Sequence, residues 1–249
     1  MLRKILFMML AVSGMATNVA QAETSYDEIA VKASRFFEHK EWASASAMYS
    51  LLIDGQRVSP DVFGHAIVSA GMRDAGGEQN MLVRQALEAH LPIDSVFGAT
   101  RVAAFEAGNA PLYEKFLIAT KEREPWLTRT VDAYLLDYYL FRDDGPGIVR
   151  LSQTMLDGLP GNEGFMYKLA RGQVICGDVE DAVATYRAIV DNNPVAYDAL
   201  LYLGNYYAMK GNEAQAAEYL SRAYEIRPTP YVERMLKRLS PCVAGSDGK

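Results

Sequence analysis

Two stretches of this chain, laid end to end between Glu163 and Pro228, carry the same residues at the same spacing. Gly177 recurs as Gly211, Ala182 as Ala216 and Pro194 as Pro228, each pair 34 residues apart, and Leu169–Ala170 answers to Leu203–Gly204. A fixed period of this length predicts an array of stacked structural units, each burying its apolar face only against its neighbours.

The second copy shows the chemistry of one unit. Leu200, Leu203, Gly204 and Tyr207 share one helical face. Gly204 has no side chain, so another helix can approach closely there. The run stops at Lys210–Gly211–Asn212, a helix-ending glycine followed by a polar residue. A second amphipathic run places Ala216, Ala217, Leu220 and Ala223 inward and ends at Arg227–Pro228, where the proline ring forbids continuation. The unit is helix, tight turn, helix, breaker.

These residues resemble the tetratricopeptide repeat. Leu200, Leu203, Gly204, Tyr207, Gly211, Ala216, Leu220, Ala223 and Pro228 fit its pattern, as do Met166, Leu169, Ala170, Gly177, Ala182, Tyr186 and Pro194 in the preceding copy. That copy departs at Gln173, where tyrosine is usual, and at Ile189, where alanine is usual. The alternative is an unrelated helical hairpin. The resemblance implies an all-α, right-handed superhelical solenoid.

The period extends to the rest of the chain. Pro60, Pro92, Pro125, Pro160, Pro194 and Pro228 are spaced by 32, 33, 35, 34 and 34 residues. Ser25 to Glu28 reads as a capping box opening a helix to about Lys40, with Phe36 in the aromatic position and Lys32 on an outer face. Trp42, Ala45, Tyr49 and Leu52 mark its partner helix. Between the prolines lie helical pairs that keep the period and lose the signature. They are Val62–Arg73 with Asn80–His90, Val96–Ala107 with Pro111–Lys121, and Trp126–Phe141 with Pro146–Asp157. Gly76–Gly77, Gly108–Asn109 and Asp144–Gly145 read as their turns, and Pro111 and Pro146 fit first helical turns. About six hairpins are expected over residues 23–239, with Tyr231–Leu239 as a charged capping helix and Ser240–Lys249 as a disordered tail. No Gly/Ser-rich linker divides the array.

Residues 1–22 read as a secretory signal peptide. Arg3 and Lys4 precede the apolar run Ile5–Val12, and Ala20–Gln21–Ala22 is a small-x-small cleavage site. The run is too short to span a membrane, and no cysteine follows the site to carry a lipid. The expected destination is the periplasm or cell envelope. Without Arg3 and Lys4 the chain holds 23 basic against 31 acidic residues, a net charge of −8 with histidine neutral. That balance, with no basic stripe, argues against nucleic acid as a partner.

Little in the chain calls for catalysis, a metal or a cofactor. His39, His65 and His90 show no metal-ligand spacing and no nucleophile partner. Asp143–Gly147 lacks the strand and lysine of a phosphate loop and reads as a turn. Export permits a disulfide, but Cys176 reads as a small buried thiol and Cys242 as a free tail residue.

The expected function is binding of a protein or peptide segment. The resemblance implies that the first helix of each unit lines a concave groove. It places Asp137, Arg171 and Asn205 at one groove-facing position and Tyr167 and Leu201 alongside. Arg171 offers a fork of donors to a carboxylate, and Asn205 can donate and accept. The alternative is that Arg171 pairs with Asp137 across the stack. Tyr134, Tyr138, Tyr139, Phe141, Tyr202, Tyr206 and Tyr207 crowd the same region, and about two thirds of them are expected to be core. Two other readings remain: an assembly factor of the bacterial envelope, and an enzyme with a pocket in the irregular residues 61–160. A deep pocket with converging carboxylates or a histidine–carboxylate pair would favour the enzyme.

Overall fold

The computed structural model describes residues 25–239, and those residues hold thirteen α-helices, one 3-10 helix and no strand. In chain order they are α1 (25–38), α2 (Trp42–Asp54), α3 (Pro60–Gly71), α4 (Gly76–Glu88), α5 (Ile93–Glu106) and α6 (Ala110–Arg123). The 3-10 turn Pro125–Leu127 leads into α7 (Thr128–Phe141), followed by α8 (Gly145–Gly158), α9 (Glu163–Cys176) and α10 (Val179–Asn192). Then come α11 (Tyr197–Met209), α12 (Glu213–Ile226) and α13 (Pro230–Leu239). The architecture is all-α, built of tandem helical hairpins. The signal peptide and the tail with Cys242 lie outside the described residues.

The hairpin turns share one backbone device. Lys40, Asp74, Gly108, Asp143, Gly177 and Gly211 all have positive φ, between 49° and 84°, and recur at intervals of 34, 34, 35, 34 and 34 residues. At each turn the amide of the next residue closes on a carbonyl five residues back. Examples are Glu41 on Phe36 (2.8 Å), Ala75 on Ala70 (3.0 Å) and Asn212 on Tyr207 (2.9 Å). These bonds satisfy carbonyls that a helix end leaves open. The middle hairpins thus keep the turn without always keeping the glycine.

That corrects the reading of two glycine turns. Asp74 and Asp143 take the left-handed positions, and Gly76 and Gly145 open α4 and α8 instead. At Gly145 the need is space: a Cβ there would lie 2.7 Å from Cys176 Sγ. Helix starts are capped by side chains where the sequence supplies them. Ser59 accepts from the Val62 amide, Asp144 from Gly147, Asn162 from Phe165 and Asn212 from Gln215. Pro111 and Pro146 lie in first turns as expected.

The described residues form two compact units, divided between Leu135 and Leu136. The division falls inside α7. In the first unit Phe63, Ile67, Phe97, Tyr113, Phe116 and Leu117 are fully buried, and α3 packs on α2, α4 and α5. Ala33 and Phe37 are the inward residues of α1, so Phe37 takes the place expected of Phe36, which is half-buried. Helix α7 starts at Thr128 rather than Trp126 because Pro125–Leu127 winds as a 3-10 turn, leaving Trp126 exposed.

In the second unit α8 packs on α9, α9 on α10, α10 on α11, α11 on α12 and α12 on α13. Leu200, Leu203, Tyr207, Ala216, Leu220 and Ala223 are buried as the repeat pattern requires. A Cβ on Gly204 would lie 2.6 Å from Leu220 Cγ, which is the close approach that glycine permits. The two departures from the pattern are accommodated. Ile189 is fully buried, and Gln173 accepts from the Thr185 hydroxyl at 2.8 Å within the hairpin. No helix among the described residues is long and apolar enough to cross a membrane.

Candidate partner-binding cleft

Helix α9 has two working faces. Met166, Leu169 and Ala170 point into the core. Tyr167, Arg171, Val174 and Ile175 follow helical spacing on another flank and line a cleft of about 620 Å³. Tyr186 from α10, Tyr202 from α11 and Asp143 from the turn after α7 complete it.

Three tyrosines form one aromatic wall. Tyr186 and Tyr202 stack with centroids 4.0 Å apart, and Tyr167 meets Tyr186 edge-on at 6.2 Å. Burial is the main cause that pushes the Tyr186 phenol up to about 12. It raises Tyr167 and Tyr202 as well. All three therefore stay neutral at physiological pH, with hydroxyls able to donate or accept. Val174 and Ile175 are 40% and 37% exposed, so the apolar part of the cleft opens to solvent. At the rim Arg171 donates to Asp143 at 2.8 Å and to the Leu140 carbonyl at 3.4 Å.

The sequence-derived residues divide. Tyr167 and Arg171 meet in the cleft, whereas Asp137, Leu201 and Asn205 are not among the residues that line it. Arg171 does not pair with Asp137. Asp137 faces Lys168 at 3.6 Å, and Arg171 takes Asp143. The reason is geometric: the contacts that α9 side chains make with α7 and the turn after it span 31 or 28 residues, about one to two helical turns short of the repeat. Asn205 accepts from the Tyr231 hydroxyl of α13 at 2.9 Å, and Leu201 is half-buried.

Two burial expectations also fail. Cys176 is exposed rather than buried, since it ends α9 on the solvent side. Of the seven crowded aromatics only Tyr138, Tyr139 and Tyr207 are buried, and Phe141 is 71% exposed. Sequence reasoning missed Val174 and Ile175. Their signal was an apolar run before Gly177 longer than the inward face needs.

Among the described residues no group of three His, Cys, Asp or Glu is arranged to hold a metal ion. A second cleft, of about 390 Å³, lies in the first unit between α1, α3 and α5 and contains a histidine–carboxylate pair, His65 with Glu106.

A tetratricopeptide repeat family model matches residues 167–230. No curated protein sequence matches the chain. Several solved structures are similar at low identity. The C-terminal part of a repeat-containing protein of Cytophaga hutchinsonii shares 12% identity, covering 78% of this chain and 77% of that one, with a TM-score of 0.46. MamA of AMB-1 shares 16%, covering 70% and 94%, with a TM-score of 0.46. The TPR2AB domain of yeast Sti1, in its pHSP90 complex, shares 13%, covering 87% and 99%, with a TM-score of 0.39. With the family match falling on the two hairpins whose turns, buried alanines and Gly204 contact follow the repeat pattern, residues 167–230 are tetratricopeptide repeats.

Proposed function

We propose that this chain is a protein–protein interaction scaffold whose α9–α10–α11 cleft holds a segment of a partner protein. The observation that carries the reading is the cleft itself. It combines apolar walls open to water, three neutral tyrosines and an arginine whose fork has donors to spare. Exposed apolar surface ringed by polar groups is what a partner side chain covers favourably, and tyrosine supplies contact area with a polar handle. Arg171 suits a carboxylate or carbonyl of the bound segment, and Asn205 and Leu201 on α11 would extend the contact along the chain. The basic start, apolar run and small-residue site of residues 1–22 support export to the cell envelope.

A photo-crosslinking residue placed at Ile175 tests the reading in cells that express the chain. It should give one discrete adduct that the same residue placed at exposed Met81, in the first unit, does not give. Equal adducts at both positions, or none at Ile175, would refute it. Fractionation of the same cells tests export: the processed chain is expected outside the cytoplasm, beginning near Glu23.

A further inference from the structure

The chemistry of the α9–α10–α11 cleft narrows what can lie in it, granted the reading that it holds a partner segment. Its walls are apolar, and its polar groups are donors with little to donate to. Arg171 makes both of its bonds, to Asp143 and to the Leu140 carbonyl, through Nη2. No described residue takes the hydrogens of Nη1 or Nε. Tyr167 is hydrogen-bonded to the Ala199 backbone, whereas the hydroxyls of Tyr186 and Tyr202 have no partner among the described residues. The Asp143 carboxylate is already taken by Arg171.

That set of groups discriminates between the backbones an occupant could present. A helix has spent its carbonyls on its own amides and brings few acceptors. A strand needs an open backbone edge to pair with, and the cleft is walled by helices. A polyproline II segment has no internal hydrogen bonds, so its carbonyls can all accept. Proline fits further because it has no N–H. An N–H pressed on Val174 and Ile175 would lose its water, and the nearest carboxylate is engaged. Proline rings pack on aromatic faces. The tyrosine centroids, 6.2 and 4.0 Å apart, offer such faces on the scale of a chain that rises about 3.1 Å per residue.

Charge adds one more requirement. Arg171 and Asp143 cancel at the rim, and Glu180, beside Tyr202, faces Lys210 at 3.7 Å. Asp198 lies near Tyr167 and Tyr186, and Glu163 near Tyr167. Asp198 is exposed, Glu163 accepts only from the Asn193 amide, and neither forms an ion pair among the described residues. The tyrosine wall is therefore flanked by negative charge that a cation would complement.

We infer that the occupant of this cleft is a proline-rich segment of a partner protein, in polyproline II conformation, with a lysine or arginine beside the proline run. Its carbonyls accept from Tyr186, Tyr202 and Arg171. Its proline rings pack on the tyrosines, Val174 and Ile175, and its basic residue faces Asp198 and Glu163.

Fluorescence anisotropy of labelled peptides added to the whole chain tests the inference. A run of six prolines with a lysine at each end should bind saturably. Glutamine in place of the lysines should weaken binding, and glutamate should weaken it more. Alanine in place of the prolines, with the lysines kept, should abolish saturable binding. Tyr186→Phe and Tyr202→Phe each remove a hydroxyl and keep the ring, and each should weaken the lysine–proline peptide by about two- to tenfold. Asp198→Asn should weaken the lysine–proline peptide and leave the glutamine–proline peptide unchanged. The inference is overturned if the lysine–proline peptide does not bind saturably, or if the alanine peptide binds as tightly. It is also overturned if both tyrosine variants, folded by circular dichroism, bind that peptide unchanged. The adduct at Ile175 separates this inference from the scaffold reading on which it rests. A discrete adduct whose crosslinked segment holds no proline run overturns the inference and leaves the scaffold standing. Loss of both the adduct and peptide binding removes the two together.

Discussion

Two glycines in neighbouring helices of the first unit should respond in opposite directions to the same substitution. Gly64 lies within α3 and Gly98 within α5. Helix propensity alone favours alanine over glycine at each by about 0.8–1.0 kcal/mol. At Gly98 an added Cβ meets nothing within 4 Å, so Gly98→Ala should gain that stability. At Gly64 the added Cβ would lie 2.6 Å from the Ala99 carbonyl carbon, 2.8 Å from the Thr100 nitrogen and 2.9 Å from the Ala99 Cβ. Two of those atoms are backbone, so no rotamer change relieves the clash. Helix α5 must retreat, loosening Phe63, Ile67 and Phe97, all fully buried. Overpacking of this kind costs about 1–3 kcal/mol, which leaves Gly64→Ala destabilised by up to about 2 kcal/mol after the propensity gain. For a chain of this size each kcal/mol moves the melting temperature by about 2–4 °C. Thermal and urea unfolding followed by circular dichroism should place Gly64→Ala below the wild type and Gly98→Ala above it. Equal gains in both variants would refute the close packing of α3 on α5 and leave propensity as the only term.

The left-handed turn positions offer a parallel contrast. Lys40→Gly and Asp74→Gly should each stabilise by about 1 kcal/mol, because a side chain in that conformation is strained. Gly177→Ala and Gly211→Ala should each cost about 1–2 kcal/mol although their added Cβ has open space; the order of melting temperatures checks both. Tyr49 and Tyr186 ionise near pH 12 when folded and near 10 when unfolded. Between those values the folded chain holds more protons, so stability is full below pH 10 and falls as pH rises toward 12. Phenolate absorbance at 295 nm should show a late-titrating group of tyrosines that includes Tyr49 and Tyr186, and Tyr186→Phe should lower their number by one; an unchanged number of late tyrosines would contradict the buried aromatic wall.

The fold was legible because its physics is local and repeated. Leu203, Gly204, Gly211, Ala216 and Pro228 each state one requirement of a helical hairpin, and Leu169, Ala170, Gly177, Ala182 and Pro194 restate most of them. In the middle hairpins the same turns persist behind Asp74 and Asp143, whose identity does not announce a left-handed backbone. The cleft was only half legible. Tyr167 and Arg171 follow from their place on α9. Val174 and Ile175 match no position of the repeat pattern, and only the structure shows that their flank of α9 stays open. The partner of Arg171 depended on an offset along the stack that equal spacing in sequence does not convey, so Asp143 rather than Asp137 meets it. His65 and Glu106 come from different hairpins, 41 residues apart, and no spacing rule on one helix could join them.

The central claim is that the cleft binds a partner through groups the fold does not need, and Arg171→Ala tests it most directly. The Arg171–Asp143 pair is exposed on both sides, 54% and 67%, so its loss should cost stability only about 0–1 kcal/mol. A charged hydrogen bond to the bound segment is worth about 1.5–3 kcal/mol, so affinity for the partner crosslinked at Ile175 should fall by about tenfold or more. Calorimetric titration of that partner into wild-type and Arg171→Ala chains, with melting temperatures of both, gives the answer. The account predicts a melting temperature within about 4 °C of wild type and the loss of affinity. A folded Arg171→Ala chain that binds the partner as tightly as wild type would contradict it.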